Sequence, residues 1–168
     1  MSQGKRIIIA VLIIFVIAGG IMGVEMIRRQ KQQMPTVAGS PTLVPGSIPI
    51  YRDGTLVNGF TPEALQNLEE VSFVDAEEGK TQQGWLLRDV LALYLDTGSL
   101  KPETLITVSS SSREKSADLT WAEVNEPKNY VMFDLSGRGT LKLVSVLERL
   151  DIRDEWVQDV DKIEVRTP

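Results

Sequence analysis

The chain contains no cysteine and no histidine. Without cysteine there can be no disulfide, no thiolate metal site and no cysteine nucleophile. Without histidine the commonest general base and the commonest metal ligand are both missing. Other signals are absent as well. The glycine-rich stretch Ser136-Gly137-Arg138-Gly139 lacks the context of a dinucleotide or P-loop fingerprint. Asp75, Glu77 and Glu78 lack the spacing of an EF-hand loop and read as a solvated loop. No internal repeat occurs, and no PxxP motif stands beside basic residues.

What is present begins with Ile7–Val24, eighteen residues without a charge, an amide or a hydroxyl. As a helix this run reaches roughly 27 Å, close to the roughly 30 Å hydrocarbon core of a bilayer. Met26 and Ile27 extend it past Glu25. The expected organisation is a short tail over 1–6, a transmembrane helix over 7–27 and a linker over 28–47, followed by one domain over 48–168. The alternative is a signal peptide cut near Ala18-Gly19-Gly20, but the apolar run continues past that site and is longer than a signal needs. Lys5 and Arg6 on one side nearly balance Arg28, Arg29 and Lys31 on the other. The orientation read is that of a signal-anchor, with the domain outside the cytoplasm, and it rests on the short tail and long C-terminal part rather than on charge.

Charge is unevenly placed. From Met34 onward, 13 basic residues stand against 22 acidic ones, a net charge of −9. Such a region is repelled by nucleic-acid backbones and by anionic headgroups. The expected partners are therefore the membrane, through a single span, and a protein partner or small ligand, with no nucleic acid. Gln30–Ser47 carries three prolines and two glycines without an apolar period, and reads as an extended tether.

The domain reads as α+β, a mixed β-sheet structure with a few short helices. A hairpin is expected over 48–60, with turn signals at Asp53-Gly54 and Asn58-Gly59. Thr61-Pro62-Glu63 opens a short helix, with Thr61 as its cap. Val71–Val74 reads as a strand and Asp75–Gln83 as an acidic loop. Leu87, Val90, Leu91, Tyr94 and Leu95 fall at helical spacing within Leu86–Leu95. Thr104–Val108 reads as a strand that leaves into a polar loop, Ser109–Ser112. Thr120 and Glu123 form a capping-box pattern. Tyr130–Phe133, Leu141–Leu147 and Ile163–Val165 read as strands. Trp85, Trp121 and Trp156 read as core or rim packing rather than partner contacts.

Three of these stretches resemble one family. Gly84-Trp85-Leu86-Leu87-Arg88-Asp89-Val90-Leu91 is similar to the G-x-P-L-x-D-L-L segment of the oxidoreductase molybdopterin-binding domain, with its sulfite-oxidase-type fold. Leu86 stands where that segment has proline. Gly139-Thr140-Leu141-Lys142-Leu143-Val144 is similar to its G-x-P-L-R-L-V, and Trp156–Val165 to its W-V-K-x-V-x-x-I-x-V. The resemblance covers about Ile48–Val165. It implies a sulfite-oxidase-like fold, and its cofactor would be a molybdopterin. The departures are specific: the family binds molybdenum through a cysteine thiolate that this chain lacks, and the family's Asp-Gly-Tyr after the strand at 104–108 is replaced by the serine run.

No catalytic residue and no metal ligand can be carried over. The expected function is a membrane-anchored, non-catalytic extracytoplasmic binding domain with no cofactor. The alternative is a molybdopterin-dependent oxidoreductase or redox subunit that keeps a pterin without a cysteine ligand. Hydroxyls and amides beside cations can hold an anion, so the candidate anion or pterin pocket comprises Ser111, Ser112, Arg113 and Arg138. A hydrolase with paired carboxylates needs neither histidine nor cysteine, but the sequence singles out no such pair.

Overall fold

A computed structural model of the chain describes residues 41–135 and 137–168. They belong to one unit, Ser40–Pro168. The expected tail (1–6), the span (7–27) and linker residues 28–40 lie outside the described residues. Among the described residues no helix is long and apolar enough to cross a membrane.

The domain is α+β, with two sheets and a few short helices. The strands are β1 (Ile48–Arg52), β2 (Thr55–Phe60), β3 (Val71–Val74), β4 (Thr81–Leu86), β5 (Leu105–Ser110), β6 (Lys115–Thr120), β7 (Met132–Leu135), β8 (Leu141–Val144) and β9 (Lys162–Arg166). The α-helices are α1 (Leu87–Tyr94) and α2 (Trp121–Asn125). A five-stranded sheet runs β2-β1-β9-β5-β6, and a four-stranded sheet runs β3-β4-β7-β8. The β1–β9 pair is parallel and every other pair is antiparallel.

Period-two alternation gives the five-stranded sheet one apolar and one polar face. Ile50 faces Ile163, which faces Val108, and Val165 faces Ile106, which faces Leu119. All six are fully buried. On the other face Thr107 Oγ1 donates to Asp118 (2.6 Å), Arg166 donates to Thr107 (3.2 Å) and Lys162 pairs with Glu164 (3.2 Å). The four-stranded sheet is apolar on both faces. Trp85, Phe133 and Leu143 lie in register and join the main core with Leu87, Val90 and Leu91 of α1. Leu86, Met132 and Val144 lie in register on the opposite face, where Phe73 and Trp156 complete a second cluster.

Several expectations hold. The hairpin over 48–60 forms, with Asp53 and Gly54 both at positive φ in its turn. Helix α1 buries the expected face, and its first N–H donates to the Val131 carbonyl (2.9 Å). The capping box at Thr120 forms, with Glu123 N–H donating to Thr120 Oγ1 (3.3 Å) and Thr120 N–H to Glu123 Oε2 (2.8 Å). All three tryptophans are buried.

Other expectations are corrected. Asn58-Gly59 is no turn but part of β2. The helix after Thr61 is a 3-10 segment, Pro62–Asn67, and the Thr61 side chain does not cap it. Leu65 is its single buried residue, too little apolar face to draw out α-helical turns. Asp75–Gln83 is not one solvated loop. Asp75 is buried, and its carboxylate accepts from Glu78 N–H (2.6 Å), Lys80 N–H (3.2 Å) and Gln82 Nε2 (2.9 Å). From Thr81 the chain is already β4, a polar sequence made into a strand by its neighbours β3 and β7. Ser109 and Ser110 belong to β5 rather than to a loop, and Lys115–Thr120 is the edge strand β6. β8 ends at Val144, three residues earlier than expected.

Gly84 sits at a close approach between β4 and β7. A Cβ there would lie 1.9 Å from the Phe133 carbonyl oxygen. Gly84→Ala should therefore destabilise the domain by about 3 kcal/mol, because backbone rather than a movable side chain must give way. Chemical denaturation of the full chain in detergent micelles measures this, and an unchanged midpoint would contradict the β4–β7 pairing.

Candidate functional site

Ser111, Ser112 and Arg113 lie on the β5–β6 turn, against the segment that leads into β9, and Arg138 lies between β7 and β8. Ser110 is buried at the end of β5, and its hydroxyl lies 3.3 Å from that of Ser112. Ser111 and Ser112 are exposed in the turn. Glu114 closes the turn at positive φ, donating its N–H to the Ser111 carbonyl (3.3 Å). Ser111 N–H donates to Asp161 Oδ2 (2.8 Å), and Asp161 N–H donates to the Ser109 carbonyl (3.0 Å). These two bonds lock the turn to the incoming strand.

Arg113 and Arg138 are brought together by Asp159, 46 and 21 residues away in sequence. Asp159 sits at positive φ (54°), a conformation that aspartate tolerates better than most residues. Its carboxylate accepts from Arg113 Nε (2.6 Å), Thr140 Oγ1 (2.7 Å) and the Arg138 guanidinium (3.2 and 3.3 Å). The Thr140 hydroxyl and then the two arginines hold its carboxyl below the usual carboxylate range. Both candidate arginines are thus engaged by an anion the protein supplies itself.

On the same side of the turn opens a cavity of about 200 Å³, lined by Arg113, Lys115, Arg153, Asp154, Trp156 and Gln158. Three cations and one carboxylate give its walls a net positive charge within a region that is strongly negative. Arg113 is the one residue that joins the cavity to the Asp159 cluster; Ser111, Ser112 and Arg138 are not among the lining residues. The Lys115 ammonium donates to the Asp154 carbonyl. Trp156 is buried, its ring lies 4.7 Å from Lys142 Nζ, and its indole N–H has no acceptor among the described residues.

Arg153, Asp154, Trp156 and Gln158 were not among the residues that sequence reasoning marked as a site. Arg153 is 40 positions from Arg113, and only the β5–β9 register brings the two segments together. Arg153–Glu155 carries no motif, and Trp156–Gln158 only opens the stretch that resembles W-V-K-x-V-x-x-I-x-V. The other signal there is three charges, Arg153, Asp154 and Glu155, beside a tryptophan that packing alone explains.

A second cavity, of about 300 Å³, lies between the 3-10 segment and the start of β8, with walls that include Ile48, Pro62, Glu63, Leu141 and Val160. Each of the two cavities carries a single carboxylate, Asp154 in the first and Glu63 in the second. Neither offers the facing pair that a carboxylate hydrolase would use. The acidic trio near residue 75 is committed elsewhere: Asp75 organises its own turn, Glu77 accepts from Arg153 N–H (2.9 Å), and Glu78 pairs with Lys80 (2.5 Å).

No protein-family model matches the chain, and no curated protein matches it.

Because the folded state holds the Asp159 carboxyl below its ordinary value of about 3.9, its contribution is fully present above that value and is lost as pH falls through the lowered folded value. Asp159→Asn keeps the backbone conformation and removes the charge. It should cost about 1 kcal/mol at pH 7, since both arginine pairs are partly exposed. The gap between wild type and variant should close as the pH is taken well below 4. A gap independent of pH, measured by denaturation across that range, would contradict the ionic role of Asp159.

Proposed function

We propose that this chain is a membrane-anchored, non-catalytic binding domain, held outside the cytoplasm, which takes an anionic ligand at the Arg113–Lys115–Arg153 cavity. The observation that carries this reading is the gathering of three cationic side chains on one open cavity, in a region of net charge −9. Charge of the minority sign concentrated in a concave site attracts counter-ions that the rest of the surface repels.

The anchor in this reading is Ile7–Val24 with its basic flanks, and the tether is Gln30–Ser47. A negatively charged domain gains nothing from an anionic bilayer surface, so its localisation depends on the span. The sulfite-oxidase-like architecture is part of the same proposal. It is supported by the place of two resembling stretches. Gly84–Leu91 runs from β4 into the buried face of α1, and Trp156–Val165 ends in the central strand β9.

The alternative, a redox subunit with a pterin, rests on the resemblance alone. The four residues suggested for it are divided between a turn, a salt-bridge cluster and a cavity wall. A volume of about 200 Å³ also falls below the roughly 300–1,000 Å³ of sites that enclose drug-sized ligands. It suits a small anion or the end group of a longer ligand better than a whole pterin cofactor.

Full chain purified from membranes should carry molybdenum and pterin far below one equivalent, measured by metal analysis and by pterin fluorescence after denaturing extraction. A stoichiometric pterin would overturn the non-catalytic reading in favour of the redox subunit.

A further inference from the structure

Resting on the anion-binding reading, we propose that the cavity is a site for a tetrahedral oxyanion of the phosphate type, free or as a monoester, and that the Trp156 indole N–H is one of its donors. Four observations lead there. The first is directional. Asp159 takes only Nε of Arg113, which leaves the terminal nitrogens of the guanidinium for a ligand. Arg153 is held loosely at its side chain, 3.9 Å from Glu78. Lys115 lines the cavity and is tethered through the Asp154 carbonyl, a neutral acceptor.

The second is Trp156 itself. It is buried (6 % exposed), it forms part of the cavity wall, and its N–H lacks an acceptor among the described residues. A buried donor without a partner calls for an explanation; Trp85 Nε1 also lacks an acceptor among the described residues, but only Trp156 of the two lines the cavity. An oxygen of a bound anion supplies the explanation for Trp156. The third is charge. Three cations stand against one carboxylate on the cavity walls, although Asp159 pairs with Arg113 and Glu78 lies 3.9 Å from Arg153, and this local excess of cations favours an anion such as a phosphate group. The fourth is shape. Arg113, Arg153, Lys115, Gln158 and Trp156, each with N–H groups to donate, line one small space. Several acceptor oxygens pointing in different directions use such donors better than the two coplanar oxygens of a carboxylate.

The test is calorimetric titration of the full chain in neutral detergent micelles with inorganic phosphate, and separately with acetate, at constant ionic strength. The expected result is saturable one-site binding of phosphate and much weaker binding of acetate. Arg153→Gln should weaken phosphate about tenfold or more and Trp156→Phe several-fold, while Lys128→Gln, a cation outside the cavity, leaves it unchanged. Arg153 is exposed, so its variant reports on binding even if Trp156→Phe perturbs folding. Equal binding of acetate and phosphate, with Trp156→Phe without effect, would overturn the oxyanion assignment and leave the anion-binding reading standing. If neither anion binds, or if Lys128→Gln weakens phosphate as much as Arg153→Gln does, both fall. Repeating the titration in nanodiscs of phosphatidylcholine with and without phosphatidic acid, a lipid phosphate monoester, separates the sources. Unchanged affinity identifies a soluble phosphate, and loss of binding only with phosphatidic acid identifies a headgroup; either outcome supports the site.

Discussion

The pairing of β9 inside the five-stranded sheet is the interaction on which the rest of the domain depends. The last strand in sequence lies between the first, β1, and the mid-chain β5. Ile163 and Val165 fill the centre of the apolar ladder, between Ile50 on one side and Val108 and Ile106 on the other. Without β9 the sheet would be two separate hairpins, β1–β2 and β5–β6, and an isolated hairpin is marginal in water. Asp53 reinforces the closure: its N–H donates to the Val165 carbonyl (2.9 Å), and its carboxylate accepts from the Thr167 N–H and hydroxyl (2.8 Å each).

The approach to β9 carries the site because it is the seam between the sheets. Val157 exchanges backbone hydrogen bonds with Leu143 of β8, and Val160 N–H donates to the Leu141 carbonyl (2.9 Å). One residue later Asp161 N–H reaches the Ser109 carbonyl of β5. The chain therefore passes from one sheet to the other within a few residues. Trp156 is sunk into the second apolar cluster at one end of this passage, and Asp159 turns through positive φ within it. Arg113 and Arg138 come to Asp159, and Arg113, Lys115 and Arg153 come to the cavity, because both sheets are fixed to this segment.

The parts of the fold that could be read from the sequence are those where local preference and tertiary structure agree. The period of α1, the Asp53-Gly54 turn, the Thr120–Glu123 box and the strand at 163–165 all belong to this group. The parts that could not be read are strands whose sequence is polar. Thr81-Gln82-Gln83 forms β4 because β3 and β7 supply its partners, and Gln82 is buried between Asp75 and Lys142. Lys115–Asp118 forms β6 because Ala117 and Leu119 alone need face the core. Of the candidate site, Arg113 and Arg138 do come together, but on Asp159, a residue with no marker in the sequence. The cavity itself is made by strand register, which a linear reading of charges does not contain.

β9 belongs to the last part of the domain to open. Amide hydrogen exchange across the full chain in detergent micelles measures this residue by residue. Ile163, Glu164 and Val165 should exchange only through global opening, at rates as slow as Ile106 and Val108, with the edge strands β2 and β3 opening earlier. Exchange of β9 at the rate of those edges, while β5 stays protected, would contradict it.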